Sequence, residues 1–191
     1  DNGSPLGPVA IGMALTALVY MGGHVSGAHY NPVVSAAFVL RGNFSSRQLV
    51  PYWISQLSGA LLASAAVWGL TGQLFQLAPA EGVSVAAAVG AEVAFTFALV
   101  AVILSVATCK ATHGNQFYGV AIGGIVMGAA FAAGPISGAA LNPAVGCGPI
   151  VFAALLGDAN LNGCWLYLLG PLVGAIAATA LFRVIAPYSR P

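Results

Sequence analysis

Two nine-residue stretches, SGAHYNPVV at residues 26–34 and SGAALNPAV at 137–145, carry the residue types in this chain that could act on another molecule. Each holds an Asn followed by Pro: Asn31-Pro32 and Asn142-Pro143. An Asn side chain offers one carbonyl acceptor and an NH2 donor, so it orients a partner by hydrogen bonding and forms no covalent intermediate. Asn is also a favoured helix N-cap, and Pro suits the first helical position, where its missing N–H costs nothing. No His, Cys or carboxylate cluster points to catalysis. Cys109, Cys147 and Cys164 are odd in number and lack CxxC spacing, so neither a disulfide framework nor a metal site is expected, and they read as buried small apolar residues. The chemistry on offer is passage and orientation, with no enzyme activity and no cofactor.

The elements that hold these stretches must lie in a bilayer. Hydrophobic residues make up 59% of the 191, charged residues 5%, and mean hydropathy is +0.93, against the charged fraction of about 25% in soluble domains. A formal net charge of +1 without a basic cluster gives nucleic acid no surface. Five apolar stretches have about the 20 residues needed to span the hydrocarbon core: Leu6 to Gly23, Arg47 to Leu70, Ser84 to Thr108, Phe117 to Gly134 and Cys164 to Pro187. Val33 to Leu40 and Ala144 to Leu156, each following an Asn-Pro pair, are too short and read as re-entrant half-helices. The sequence starts at Asp1 with no charged segment and cleavage site ahead of the first span, so a signal peptide is not expected.

The two stretches are copies. At a constant offset of 111, residues 6–34 and 117–145 share eleven identities in 29 positions, including Val9-Ala10-Ile11-Gly12 with Val120-Ala121-Ile122-Gly123. At an offset of 115, Gln56-Leu57-Ser58-Gly59-Ala60 faces Pro171-Leu172-Val173-Gly174-Ala175. Each repeat reads as helix, half-helix, helix, the first covering about residues 1–70 and the second about 84–187 of a single membrane domain, 1–191. The second repeat opens with one more helix, Ser84 to Thr108, whose mate would fall ahead of residue 1. Five of six spanning helices are therefore expected here. With Asp1 outside, Arg41, Arg47, Lys110, Arg183 and Arg190 share one face, and Asp1, Glu81 and Asp158 the other, as the positive-inside rule requires. The halves are then inverted, and the half-helix N-termini meet near the midplane.

Non-helical backbone at membrane depth must be buried in protein or line a water-filled cavity. Gly27 to Tyr30 and Gly138 to Leu141 are thus expected to turn carbonyls toward a pore, with Gly27, Ala28, His29, Gly138 and Ala140 contributing. Each Asn caps its half-helix and keeps an NH2 for whatever passes. Two helix N-termini, each worth roughly +0.5 charge, disfavour a cation between them.

On these residues the chain resembles the aquaporins, or major intrinsic proteins, with their two Asn-Pro-Ala motifs. Here the motifs are Asn31-Pro32-Val33 and Asn142-Pro143-Ala144, flanked by SGA and accompanied by Glu92 and by GPLVGA at 170–175. The resemblance implies an all-α, right-handed bundle of inverted repeats, a homotetramer with one pore per subunit, and a channel for water. Counting from the motifs places the family's selectivity filter at Ile11, Ala130, Ala139 and Val145. The Phe, His and Arg typical of water-selective members are absent. Val at the Arg position is similar to some tonoplast intrinsic proteins, and Gly146 departs from the Asp of glycerol facilitators. Such a filter should be wide and apolar, passing water and small neutral solutes such as glycerol, urea, ammonia or hydrogen peroxide while excluding protons and ions. The family's use of Glu92 implies that it holds the backbone of the opposite loop.

Other residues have plainer readings. His29 braces its loop through the side chain, Gly119xxxGly123, Gly124xxxGly128 and Gly170xxxGly174 are helix-packing contacts, and Trp53, Trp165 and Tyr167 are interfacial or pore-wall aromatics. A secondary transporter also uses inverted repeats and broken helices, but this chain lacks a second membrane carboxylate for coupling. A non-conducting structural or assembly protein of the same fold is the alternative, since fold alone does not establish function.

Overall fold

The computed structural model describes residues 4–158 and 160–186; Asp1, Pro187 and Arg190, which entered the topology above, lie outside them. Seven α-helices follow in order: α1 (Gly7–Ser26), α2 (Pro32–Arg41), α3 (Leu49–Thr71), α4 (Val85–Thr108), α5 (Tyr118–Ser137), α6 (Pro143–Leu155) and α7 (Cys164–Ile185). Short 3₁₀ turns at Ser46–Gln48, Lys110–Thr112 and Leu161–Gly163 lead into or out of them. Five of the helices, all but α2 and α6, are long and apolar enough to cross a membrane.

Helix ends follow local chemistry. Both α1 and α5 run three residues beyond the expected Gly23 and Gly134, stopping where Gly27 (φ 73°) and Gly138 (φ 88°) take the left-handed C-cap conformation. Inside α5, Pro135 does not stop the helix; a Pro is tolerated in a membrane helix where neighbours re-satisfy the freed carbonyl. The half-helices start one residue earlier than expected because Pro32 and Pro143 are themselves helical, directly after their Asn caps.

Small residues let the helices approach. A Cβ on Gly12 of α1 would stand 2.6 Å from the Met127 Cβ and 2.7 Å from the Gly123 carbonyl oxygen of α5, while one on Gly123 would collide with Thr16 and the Gly12 carbonyl. Gly12 and Gly123 are repeat mates, so the contact lies across the pseudo-two-fold axis. A Cβ on Gly170 of α7 would stand 2.6 Å from the Glu92 Cβ, and one on Gly174 would collide with the Val93 carbonyl and Phe97 N of α4. Two of the three GxxxG expectations hold, Gly119 meeting the Tyr20 ring. For the third, Gly124 and Gly128 meet nothing within 4 Å among the described residues and are exposed.

The pseudo-symmetry is incomplete on one side. Gly59 of α3, the mate of Gly174, also meets nothing within 4 Å, and no α3 residue is buried. At the base of the bundle Arg41 donates to the Ala186 carbonyl at 2.9 Å with its guanidinium over Phe182, and Arg183 donates to the Leu40 carbonyl. The C-terminal ends of α2 and α7 are thereby tied together, with both arginines at one end as the charge pattern requires.

Candidate functional site

The two loops that precede the half-helices have the same backbone. Ala28 (φ 49°) and Tyr30 (φ 46°) in the first, and Ala139 (φ 50°) and Leu141 (φ 52°) in the second, occupy the left-handed region. This costs of order 1–3 kcal/mol per residue and persists only where the surroundings over-determine it. The bracing is visible. Ser26 Oγ accepts from Ala28 N at 3.4 Å and Ser137 Oγ from Ala139 N at 3.1 Å. Tyr52 donates its hydroxyl to the Ser26 carbonyl at 3.0 Å, and Tyr167 to the Ser137 carbonyl at 2.6 Å. These tyrosines are mates at the offset of 115, a signal present in the sequence that composition hides. Tyr167 is fully buried, so it is an internal clamp, neither interfacial nor on the pore wall.

Glu92, fully buried on α4, completes the second loop. Its Oε1 accepts from Ser137 Oγ at 2.7 Å and Ala140 N at 3.0 Å, and its Oε2 from Leu141 N at 2.7 Å. It holds the loop of its own repeat rather than the opposite one, because α4 opens that repeat and packs against α5 and α7. In the first loop His29 braces by packing: its ring lies 4.5 Å from Phe38, 4.8 Å from Phe44 and 5.4 Å from Tyr52, with Nδ1 3.1 Å from Ser35 Oγ. Gln56 also donates to Ser35 Oγ at 2.9 Å, and Trp53 donates to the Pro32 carbonyl at 2.9 Å. Trp53 thus secures the half-helix while part of its ring stays exposed.

The two motifs cross. Asn31 Oδ1 accepts from Val33 N at 3.1 Å and Asn142 Oδ1 from Ala144 N at 2.9 Å, so each Asn caps its helix as the spacing predicts. Each amide then reaches across: Asn31 Nδ2 donates to the Leu141 carbonyl at 2.8 Å, and Asn142 Nδ2 to the Tyr30 carbonyl at 2.9 Å. This corrects the expectation on two points. One N–H of each NH2 is already committed to the other loop, leaving one for a passing molecule. The carbonyls of Tyr30 and Leu141 each already accept one bond, leaving one lone pair apiece.

A cavity of about 680 Å³ runs past this crossing. Gly27, Ala28 and His29 from one loop, Gly138, Ala139 and Ala140 from the other, and both Asn residues line it. Ile11, Ala130, Ala139 and Val145, named from four separate places in the sequence, line the same cavity. Pro32, Val33, Pro143 and Ala144 are buried behind it. Sequence reasoning missed the α3–α4 connection, whose Gln73, Leu74, Phe75 and Leu77 also line the cavity. Nothing in that loop's composition marks it; only the path of the chain brings it there.

Comparison with known proteins agrees with this geometry. The family model of the major intrinsic proteins matches residues 5–182. Aquaporin NIP1-1 of Zea mays is 36% identical over 187 residues, covering 94% of this chain and 62% of that protein. Nodulin-26 of Glycine max is 38% identical over 188 residues, covering 94% and 65%. The chain therefore spans just under two thirds of the length of these relatives. The X-ray structure of the aquaglyceroporin from Plasmodium falciparum superposes with a TM-score of 0.84 at 23% identity, covering 95% of this chain and 83% of that one, which establishes the shared fold. The chain is an integral, multi-pass membrane protein and belongs to the major intrinsic protein family.

Proposed function

We propose that this protein is a passive channel for water and for small neutral solutes of the size of glycerol, urea, ammonia or hydrogen peroxide, excluding protons and other ions. The observation that carries the reading is the crossed pair of asparagines, each capping a half-helix whose N-terminus opens into one apolar cavity. A water at that point receives an N–H from each amide and presents its own hydrogens outward to the carbonyls on either side. Two donors from the protein orient it so that it cannot pass a proton along the file, and the facing helix N-termini oppose a cation. Ile11, Ala130, Ala139 and Val145 supply no charge and no side-chain donor, which supports a filter open to solutes larger than water and similar to that of some tonoplast intrinsic proteins. We further propose a homotetramer of single-pore subunits, and a sixth spanning helix ahead of residue 1 completing the first repeat beside Gly59.

The test is reconstitution of the full-length protein in liposomes. Light scattering after a sucrose jump should show water flow well above the lipid background, and a pH-sensitive dye should show no accompanying proton flux. A proton current proportional to the water flux sinks the mechanism. Flow that saturates with solute concentration indicates a carrier, and flow at the lipid rate a structural protein.

A further inference from the structure

The internal repeat duplicates the filter. At the offset of 111, Ile11, Ala130, Ala139 and Val145 have the mates Ile122, Val19, Ala28 and Val34. Three of the four pairs are the same residue, and all four mates line the same cavity, on the other side of the crossed asparagines. The two rings differ in how much space they leave. In the outer ring Ile11 is 50% and Val145 47% exposed; in the inner ring Val19 is 3% and Val34 2% exposed. Val19 and Val34 are packed into the cavity wall, whereas Ile11 and Val145 stand half open to a water-sized sphere.

Packing holds the inner ring in place. Val34 belongs to the main core cluster with Leu99 and Ile103, and Ile122 packs against it, so these walls cannot retreat without opening a void. Farther in, Phe38 and Tyr118 still line the cavity, whereas their mates on the outer side are Pro149 and Gly7. The inner mouth carries an aromatic ring where the outer mouth carries a glycine.

Building on the channel reading above, we propose that the inner ring of Val19, Ala28, Val34 and Ile122 sets the size limit of this pore. The outer ring, at the family's filter position, is the looser of the two. Small neutral solutes that clear the outer ring are sorted at the inner one, which has no side-chain donor and so discriminates by cross-section alone.

Reciprocal exchanges test this, because one substitution converts each ring into the other. Val19→Ala gives the inner ring the residues of the outer, and Ala130→Val gives the outer ring the residues of the inner. Proteoliposomes of wild type and both variants of the full-length protein, at equal protein density, are compared for water, urea and glycerol permeability. Val19→Ala, which removes two carbons, should raise the urea-to-water and glycerol-to-water ratios by at least roughly tenfold, the low end of what a single methylene is worth in a tight apolar site. Ala130→Val narrows the looser ring and should lower both ratios by a smaller factor than Val19→Ala raises them. Should Val19→Ala fail to fold, Ile122→Val removes a single methylene from the same ring and should move both ratios in the same direction. The proposal is overturned if Val19→Ala and Ile122→Val leave the ratios unchanged, or if Ala130→Val moves them by a larger factor than Val19→Ala does. Robust water flow with that pattern spares the channel reading; water flow at the lipid rate in wild type removes both.

Discussion

Replacing Glu92 by Gln tests whether the second loop is held by a carboxylate clamp. Three donors, Ser137 Oγ, Ala140 N and Leu141 N, converge on its two oxygens within 3.0 Å. The Gln oxygen can keep the Ser137 and Ala140 contacts at the Oε1 position, but its NH2 then faces the Leu141 N–H, donor against donor. A hydrogen bond to a charged group contributes about 1.5–3 kcal/mol, and Leu141 loses it while remaining at φ 52°. A loss of about 2 kcal/mol shifts the ratio of ordered to released loop by roughly 30-fold. The consequence reaches the pore directly, because the Leu141 carbonyl is what Asn31 Nδ2 holds at 2.8 Å. Water permeability in proteoliposomes should therefore fall, and hydrogen exchange at Ala140 and Leu141 should accelerate, with exchange at Ala28 little changed because Ser26 and Tyr52 hold that loop. Wild-type water flow together with wild-type protection at Leu141 would refute the clamp. If the variant instead altered only a pH-dependent proton flux, Glu92 would be a relay.

Asn31→Asp or Asn142→Asp replaces the donor that reaches across with a carboxylate oxygen, set against the Leu141 or Tyr30 carbonyl and between two helix N-termini. Water flow should drop or cation exclusion loosen, measured by stopped-flow and by sodium flux; unchanged permeability to both would mean the loops do not line the path. Val145→Arg places a guanidinium in the half-exposed outer ring, with Ala130 and Ala139 sharing the cavity wall, so urea and glycerol permeability should fall far more than water. Equal slowing of all three in the same scattering assay would refute a wide outer filter. Gly123→Ala should destabilise the protein by at least about 1–3 kcal/mol, since its Cβ meets Thr16 and the Gly12 backbone. Gly124→Ala should be neutral or slightly stabilising, the two being compared by thermal unfolding in detergent.

The spans, the half-helices and the inverted repeat could be read from residue order alone because they rest on local rules. A run of about 20 apolar residues must cross the core, an Asn-Pro pair starts a helix, and a copied segment keeps its offset however it is packed. The four outer-ring positions came from the family resemblance, carried over by counting from the two motifs, and all four line the cavity. What composition could not show were contacts between residues far apart in the chain whose types are unremarkable. Tyr52 and Tyr167 look like membrane aromatics until each is seen donating to a serine carbonyl that lies 26 or 30 residues away in sequence. The crossing of Asn31 to Leu141 spans 110 residues and that of Asn142 to Tyr30 spans 112. Gly124 and Gly128 carry the same spacing as Gly119 and Gly123 yet meet nothing within 4 Å among the described residues, because a spacing fixes which residues share a helix face but not what that face meets. The sequence by itself determined the elements and their symmetry. Only the tertiary structure decided which loop carbonyls accept from the asparagines, which loop Glu92 holds and which aromatic side chains clamp those loops, since each depends on how helices distant in sequence close upon one another.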